Sequence, residues 1–163
     1  MSKNAMIKWI FGSLGLLGVA FGLFYGAWLY GPGSYPRAET YTIEASEEAV
    51  IRGIDQFKMS HPSYRVPIFL PGGRINSEYE YVVYFYYPEE DKILFTFTRP
   101  VGKSRTTFSL VRLNDGLDLG RWRDVNDEFW GSSENSEIIE TFEERILNPI
   151  VSIIKSDSTP TRQ

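Results

Sequence analysis

At 163 residues the chain has room for one domain of ordinary size once a hydrophobic N-terminal stretch and a polar tail are set aside. Its composition, 42% hydrophobic and 15% aromatic against 23% charged, is too rich in large apolar side chains for a disordered chain. With Lys3 and Lys8 set aside, 15 basic residues meet 21 acidic ones, a net of −6 that excludes nucleic acid and anionic lipid as partners held by charge, while the absence of cysteine excludes disulfides, thiolate catalysis and zinc–sulfur sites.

Residues 1–8 carry Lys3 and Lys8, and the following stretch 9–30, WIFGSLGLLGVAFGLFYGAWLY, carries no charge. As a helix it would span roughly 33 Å, enough for a hydrocarbon core of about 30 Å. Trp9 stands at one end and Trp28 and Tyr30 at the other, the placement of aromatic rings at the two membrane interfaces. The run predicts a transmembrane helix; the competing reading, a cleaved signal peptide, calls for a shorter apolar region ending in small residues. Lys3 and Lys8 before the span outweigh Arg37 after it, which places the N-terminus in the cytoplasm and the domain outside a cytoplasmic membrane as a single-pass anchor. Gly18, Gly22 and Gly26 recur every four residues, a small-xxx-small face that would let a second copy pair through this helix as a homodimer.

A linker, 31–38, leads into a domain expected over 39–155, with 156–163 a disordered polar tail. The alternation of residues 40–44 predicts a short strand. Ser46, with Glu47 and Glu48 behind it, predicts the start of a helix whose stripe is Val50, Ile51, Ile54 and Phe57 and which ends at His61-Pro62. Residues 66–70 read as a short strand or an extended segment running into the turn Pro71-Gly72-Gly73. Three strand-like runs follow, 79–87, 93–99 and 105–113, parted by turn-rich PEEDK and PVGKS, which is the pattern of an antiparallel meander. The register that groups the apolar residues puts Val83, Phe85, Phe95, Phe97, Phe108 and Leu110 on the core face and Tyr84, Tyr86, Thr96, Thr98, Thr107 and Ser109 on the other. After Asn114-Asp115-Gly116 the pattern is that of a loop with a short strand over 117–122. Ser133 then predicts a second helix, in which Ile138, Phe142 and Ile146 recur at i, i+4 and i+8 and which Pro149 kinks or restarts. The fold class is α+β: an N-terminal transmembrane helix, then a two-layer domain of one antiparallel meander sheet with both helices on one face.

No motif points to catalysis or to a cofactor. His61 is the single histidine and sits at a helix end, and no GxGxxG or GxxxxGK pattern cradles phosphate. Asp124, Asp127 and Glu128 only faintly resemble a calcium loop, because its glycine and closing glutamate are out of register; no metal is expected. Two features suit binding. Tyr84, Tyr86, Thr96 and Thr98 form a half-polar sheet face, and Arg121, Trp122, Arg123 and Trp130 are of the types enriched at interface hot spots. The expectation is a membrane-anchored extracytoplasmic interaction module without catalytic activity, an accessory or inhibitor protein of the cell envelope with the lipid bilayer and a protein as partners. Two alternatives stand beside it: a small envelope hydrolase using Asp118, Asp124 or Asp127, and a structural subunit acting through its transmembrane helix.

Overall fold

The computed structural model describes residues 18, 19, 21, 22, 24, 35–75, 79–127 and 132–157. The chain divides into two compact units, Met1–Pro36 and Arg37–Gln163. In the first, Gly18, Val19, Phe21, Gly22 and Phe24 are helical, and the apolar side chains of Val19, Phe21 and Phe24 are 64–72% exposed. A Cβ on Gly18 or Gly22 would meet nothing within 4 Å. Gly26 and most of the 9–30 stretch lie outside the described residues, and among those described no helix is long and apolar enough to cross a membrane.

The second unit is α+β. It opens with β1 (Glu39–Ile43), after which the Ser46 hydroxyl accepts the Ala49 N–H at 3.3 Å and starts α1 (Glu47–Ser60). Val50, Ile54 and Phe57 are buried along one side of α1, as the stripe predicts. The helix stops at His61, whose own N–H closes on the Phe57 carbonyl at 2.8 Å, and Pro62 opens a single 3-10 turn, Pro62–Tyr64. Of the two readings of 66–70, short strand or extended segment, the strand does not form; the segment runs irregularly to Gly73, which makes one isolated bridge to Val82.

The meander is β2 (Tyr81–Tyr87), β3 (Lys92–Pro100) and β4 (Thr106–Asp115), antiparallel throughout, and β1 pairs antiparallel with β4, giving the order β1-β4-β3-β2. The outer edge of β4 is shared. β1 covers residues 106–110, while β5 (Trp122–Asp124), a little later than the 117–122 expected, covers 112–114. Val111 stands between them at a shift in the β3–β4 register, its carbonyl taken by the Val125 N–H at 2.9 Å.

The last helical run is continuous but not uniform: α2 (Ser132–Phe142), a π turn (Glu143–Leu147) and α3 (Asn148–Asp157), which extends two residues into the stretch expected as tail. Two causes for the π turn are written in the sequence. Pro149 has no N–H for the Arg145 carbonyl four residues back, and the chain answers with an i→i+5 bond from Asn148 N–H to Glu143 O. Its buried residues Ile138, Phe142, Ile146, Ile150 and Ile154 also repeat strictly every four residues. At about 100° per residue that stripe would drift roughly 40° per step in a pure α-helix, and a wider turn midway brings it back toward the core. α1 and α3 then pack closely, because Gly53 has no side chain: a Cβ there would stand 2.7 Å from Ile154 Cγ1.

Both helices lie on one face of the sheet, over Ile43, Val83, Phe85, Leu94, Phe108, Leu110 and Leu113. The expected register holds for β2 and for Phe108 and Leu110 but is wrong by one residue in β3. Strand β3 begins at Lys92, which pairs with Tyr87 across the four residues 88–91, so Leu94 opposes Phe85, Thr96 opposes Val83 and Thr98 opposes Tyr81. Thr96 and Thr98 are therefore fully buried beneath the helices, and Phe95 and Phe97 turn to the opposite face. The threonines are tolerated there because each hydroxyl has a partner: Thr96 donates to the Val83 carbonyl at 2.8 Å and Thr98 to the Glu47 carboxylate at 3.0 Å.

Two stability outcomes follow, each measured by urea unfolding of a fragment comprising residues 37–157. Leu94→Ala is expected to cost about 2–5 kcal/mol and Phe95→Ala clearly less, about 1–2 kcal/mol; the reverse order would restore the register read from hydrophobicity. Gly53→Ala raises helix propensity by about 1 kcal/mol yet is expected to destabilise by about 1–3 kcal/mol, because the new methyl drives into Ile154. A stabilised variant would show that α1 and α3 do not pack at that distance.

Candidate binding surface

On the helix-free face, strand pairing brings Tyr84, Phe95 and Arg112 into one row and sets Trp122 opposite Asn114 in the next. The three rings meet. Tyr84 lies 5.5 Å from Phe95 and 6.2 Å from Trp122, and Trp122 stands edge-on to Phe95 at 6.3 Å. Trp122 reaches this place because Asn114, wholly buried, folds residues 115–121 back on themselves. Its amide donates to the carbonyls of Gly116 (2.8 Å) and Asp118 (2.9 Å), and its oxygen accepts the Arg121 N–H at 2.9 Å. Gly116, at φ +75, makes the reversal possible and donates its N–H to Asp91 O at 2.6 Å. A recess of about 290 Å³ beside the rings is completed by Leu70, Leu119 and Arg112, the last ion-paired with Asp124 at 2.6 Å.

A larger groove, about 740 Å³, adjoins it where residues 65–73 stand off from α1 along the edge of β2. That segment is pinned at both ends. Arg65 Nε donates to the Lys58 carbonyl at 2.9 Å, Gly73 exchanges two backbone hydrogen bonds with Val82 (2.8 and 2.9 Å), and Arg74 is ion-paired with the buried Glu47. Ile54, Met59, Val66, Ile68 and Leu70 make the walls apolar. Within them lies Lys58, whose Nζ donates to the Tyr84 carbonyl at 2.7 Å and sits 4.6 Å over the Phe85 ring. Burial pushes this ammonium down to about 8; Asp55 pulls it back up, and Arg65 lowers it further.

The residues singled out from sequence separate in space. Tyr84 and Trp122 converge, although 37 positions lie between them. Tyr86 shares their face, its hydroxyl bound to Asp91 at 2.7 Å and raised in pKa by that bond. Thr96 and Thr98 do not share it, being buried under α1 for the reason given above. Arg121 is exposed and joins the surface only through its backbone bond to Asn114, and Arg123 is held by Asp115 at 2.7 Å. Trp130, with Glu128, lies outside the described residues. Of the acids suggested for hydrolysis, Asp124 is engaged by Arg112 and Asp127 by Arg37 at 3.3 Å. His61 packs its ring on Phe57 at 4.6 Å and serves the end of α1. The sequence gives no sign that Lys58 or Leu70 lines a surface site, puts Phe95 on the core face, and marks Asn114 only as part of a turn. No protein-family model matches the chain, and no curated protein is similar to it.

Lys58 makes stability depend on pH in a direction opposite to that of a salt-bridged lysine. Its folded pKa is about 8 against 10.5 for an ordinary lysine, so between those values the unfolded chain holds a proton that the folded one has released. Stability from this group therefore rises with pH across that window, and below it the full penalty of the buried charge stands. Lys58→Met removes the titration. The stability of this variant relative to the parent is expected to fall by about 1–2 kcal/mol between about pH 7.5 and about pH 10, a difference in which titrations common to both proteins cancel. A flat difference in urea unfolding would mean that the amine is fully solvated.

Proposed function

We propose that the chain is a membrane-tethered interaction module without catalytic activity, an accessory or inhibitor protein of the cell envelope, which docks a protein partner through Tyr84, Phe95 and Trp122. The observation that carries this reading is the meeting of three aromatic rings from β2, β3 and β5 on the face the helices leave uncovered. Such rings supply most of the energy at interfaces of this kind, and Leu119, which lines the recess beside them, is apolar and 43% exposed. The uncharged run 9–30 and the exposed Val19, Phe21 and Phe24 support the tether. Lys3 and Lys8 support a cytoplasmic N-terminus, with the domain outside. The open flanks of Gly18 and Gly22 support pairing of two copies within the bilayer.

The test is made on the full chain in its native membrane, with a photo-crosslinking residue in place of Leu119 and, as a control, in place of Lys103 at the exposed β3–β4 turn. Leu119 is expected to give one discrete adduct that Trp122→Ala reduces about tenfold, and Lys103 none. An adduct indifferent to Trp122→Ala would remove the docking surface. A reporter enzyme that works only outside the cytoplasm, joined at Gln163, should be active; a silent one would reverse the orientation.

A further inference from the structure

The groove beside Lys58 has a chemistry of its own, independent of the aromatic recess and of whether residues 9–30 span a membrane. At about 740 Å³ it falls within the ~300–1,000 Å³ of small-molecule sites, and its walls are largely apolar with three charged side chains among them, Asp55, Lys58 and Arg65, so that the cations outnumber the carboxylate by two to one. Lys58 is the cation whose place is fixed by a hydrogen bond within the walls. Among the described residues none forms an ion pair with the Lys58 ammonium, which gives one of its three N–H bonds to the Tyr84 carbonyl and has two left. Its charged neighbours are Asp55, which favours the positive charge, and Arg65, which opposes it. A single anion entering here would meet an ammonium in apolar surroundings, where pairing is worth more than at an open surface.

The walls also decide against an extended peptide. A peptide would bind by adding a strand to β2, but the Val82 N–H and C=O are already exchanged with Gly73 and the Tyr84 C=O is held by Lys58. A ligand with no backbone to pair loses nothing by this. We infer that the groove binds a long-chain carboxylate, its aliphatic chain lying against Ile54, Met59, Val66, Ile68 and Leu70 and its head on the Lys58 ammonium.

The experiment uses the full chain reconstituted in phosphatidylcholine vesicles, with two photoreactive probes of equal length, a diazirine-bearing hexadecanoic acid and the corresponding alcohol. Adducts are mapped by mass spectrometry. The acid is expected to label residues 58–70 of the unaltered protein about tenfold more than the alcohol does. Lys58→Gln, which keeps a polar N–H donor but removes the positive charge, should abolish that preference, and Lys58→Arg should keep it. Equal labelling by acid and alcohol, labelling confined to residues 9–30, or a preference that survives Lys58→Gln would each overturn the proposal. The comparison of the two probes is made on the unaltered protein, so a variant that fails to fold does not disable the test. None of these results bears on the Leu119 adduct.

Discussion

The pairing of Tyr87 with Lys92 across a four-residue turn governs the rest of the domain. Side chains alternate along a strand, so this one choice sends Leu94, Thr96 and Thr98 under the helices and Phe95 and Phe97 to the other side. Two hydroxyls in a core would cost about 1–3 kcal/mol each if left unpaired. Thr96 finds the carbonyl across the strand pair; Thr98 needs Glu47, a carboxylate in the first turn of α1 that is itself buried. A buried carboxylate in turn requires a cation, and Arg74 supplies it from the far end of the irregular segment. The groove exists because that segment is drawn across to reach Glu47 while Arg65 holds its other end to α1. A turn of four residues is thus connected, by a chain of polar obligations, to a cavity on the opposite edge of β2.

Polar residues act as ties elsewhere in the same manner. Asn114 is buried without being part of the core, and its amide replaces the strand ladder where β4 ends, so residues 115–121 can curl back and deliver Trp122. Asn126 reaches from the end of β5 to Glu39 at 3.0 Å and to the Arg37 carbonyl at 3.2 Å, fastening the start of β1. The apolar stripes assemble the two layers, and these side-chain bonds settle where the irregular segments go.

Much of this was readable in advance, and for physical reasons. The cap at Ser46, the stripe of α1, the meander and the placement of both helices on one face follow from periodicity, which depends only on neighbours in sequence. β3 was misread because ILFTFTR alternates equally well in either register, and hydrophobicity favours phenylalanine inside. What tipped the balance was long-range: Glu47 waiting for Thr98, and Trp122 and Tyr84 waiting for Phe95. Sequence shows Tyr84 and Trp122 as two separate features, and its alternation puts Phe95, the residue that joins them, on the core face. Lys58 could not have been found. On a helical wheel it is an ordinary lysine in a last turn, and only the segment lying over it makes its surroundings apolar.

The margin of β2 has a consequence for copies of the domain that meet one another. A strand at the edge of a sheet offers a row of unpaired amides and carbonyls, a template on which a neighbour can extend the sheet without limit. Here the chain fills that row from within. Gly73 occupies Val82, Lys58 occupies the carbonyl of Tyr84, and the 3-10 turn after α1 sets the Tyr64 ring against Tyr87 at 6.0 Å. A neighbour approaching this edge meets backbone groups of Val82 and Tyr84 that are already engaged, so the same contacts that shape the groove also oppose growth of the sheet across β2.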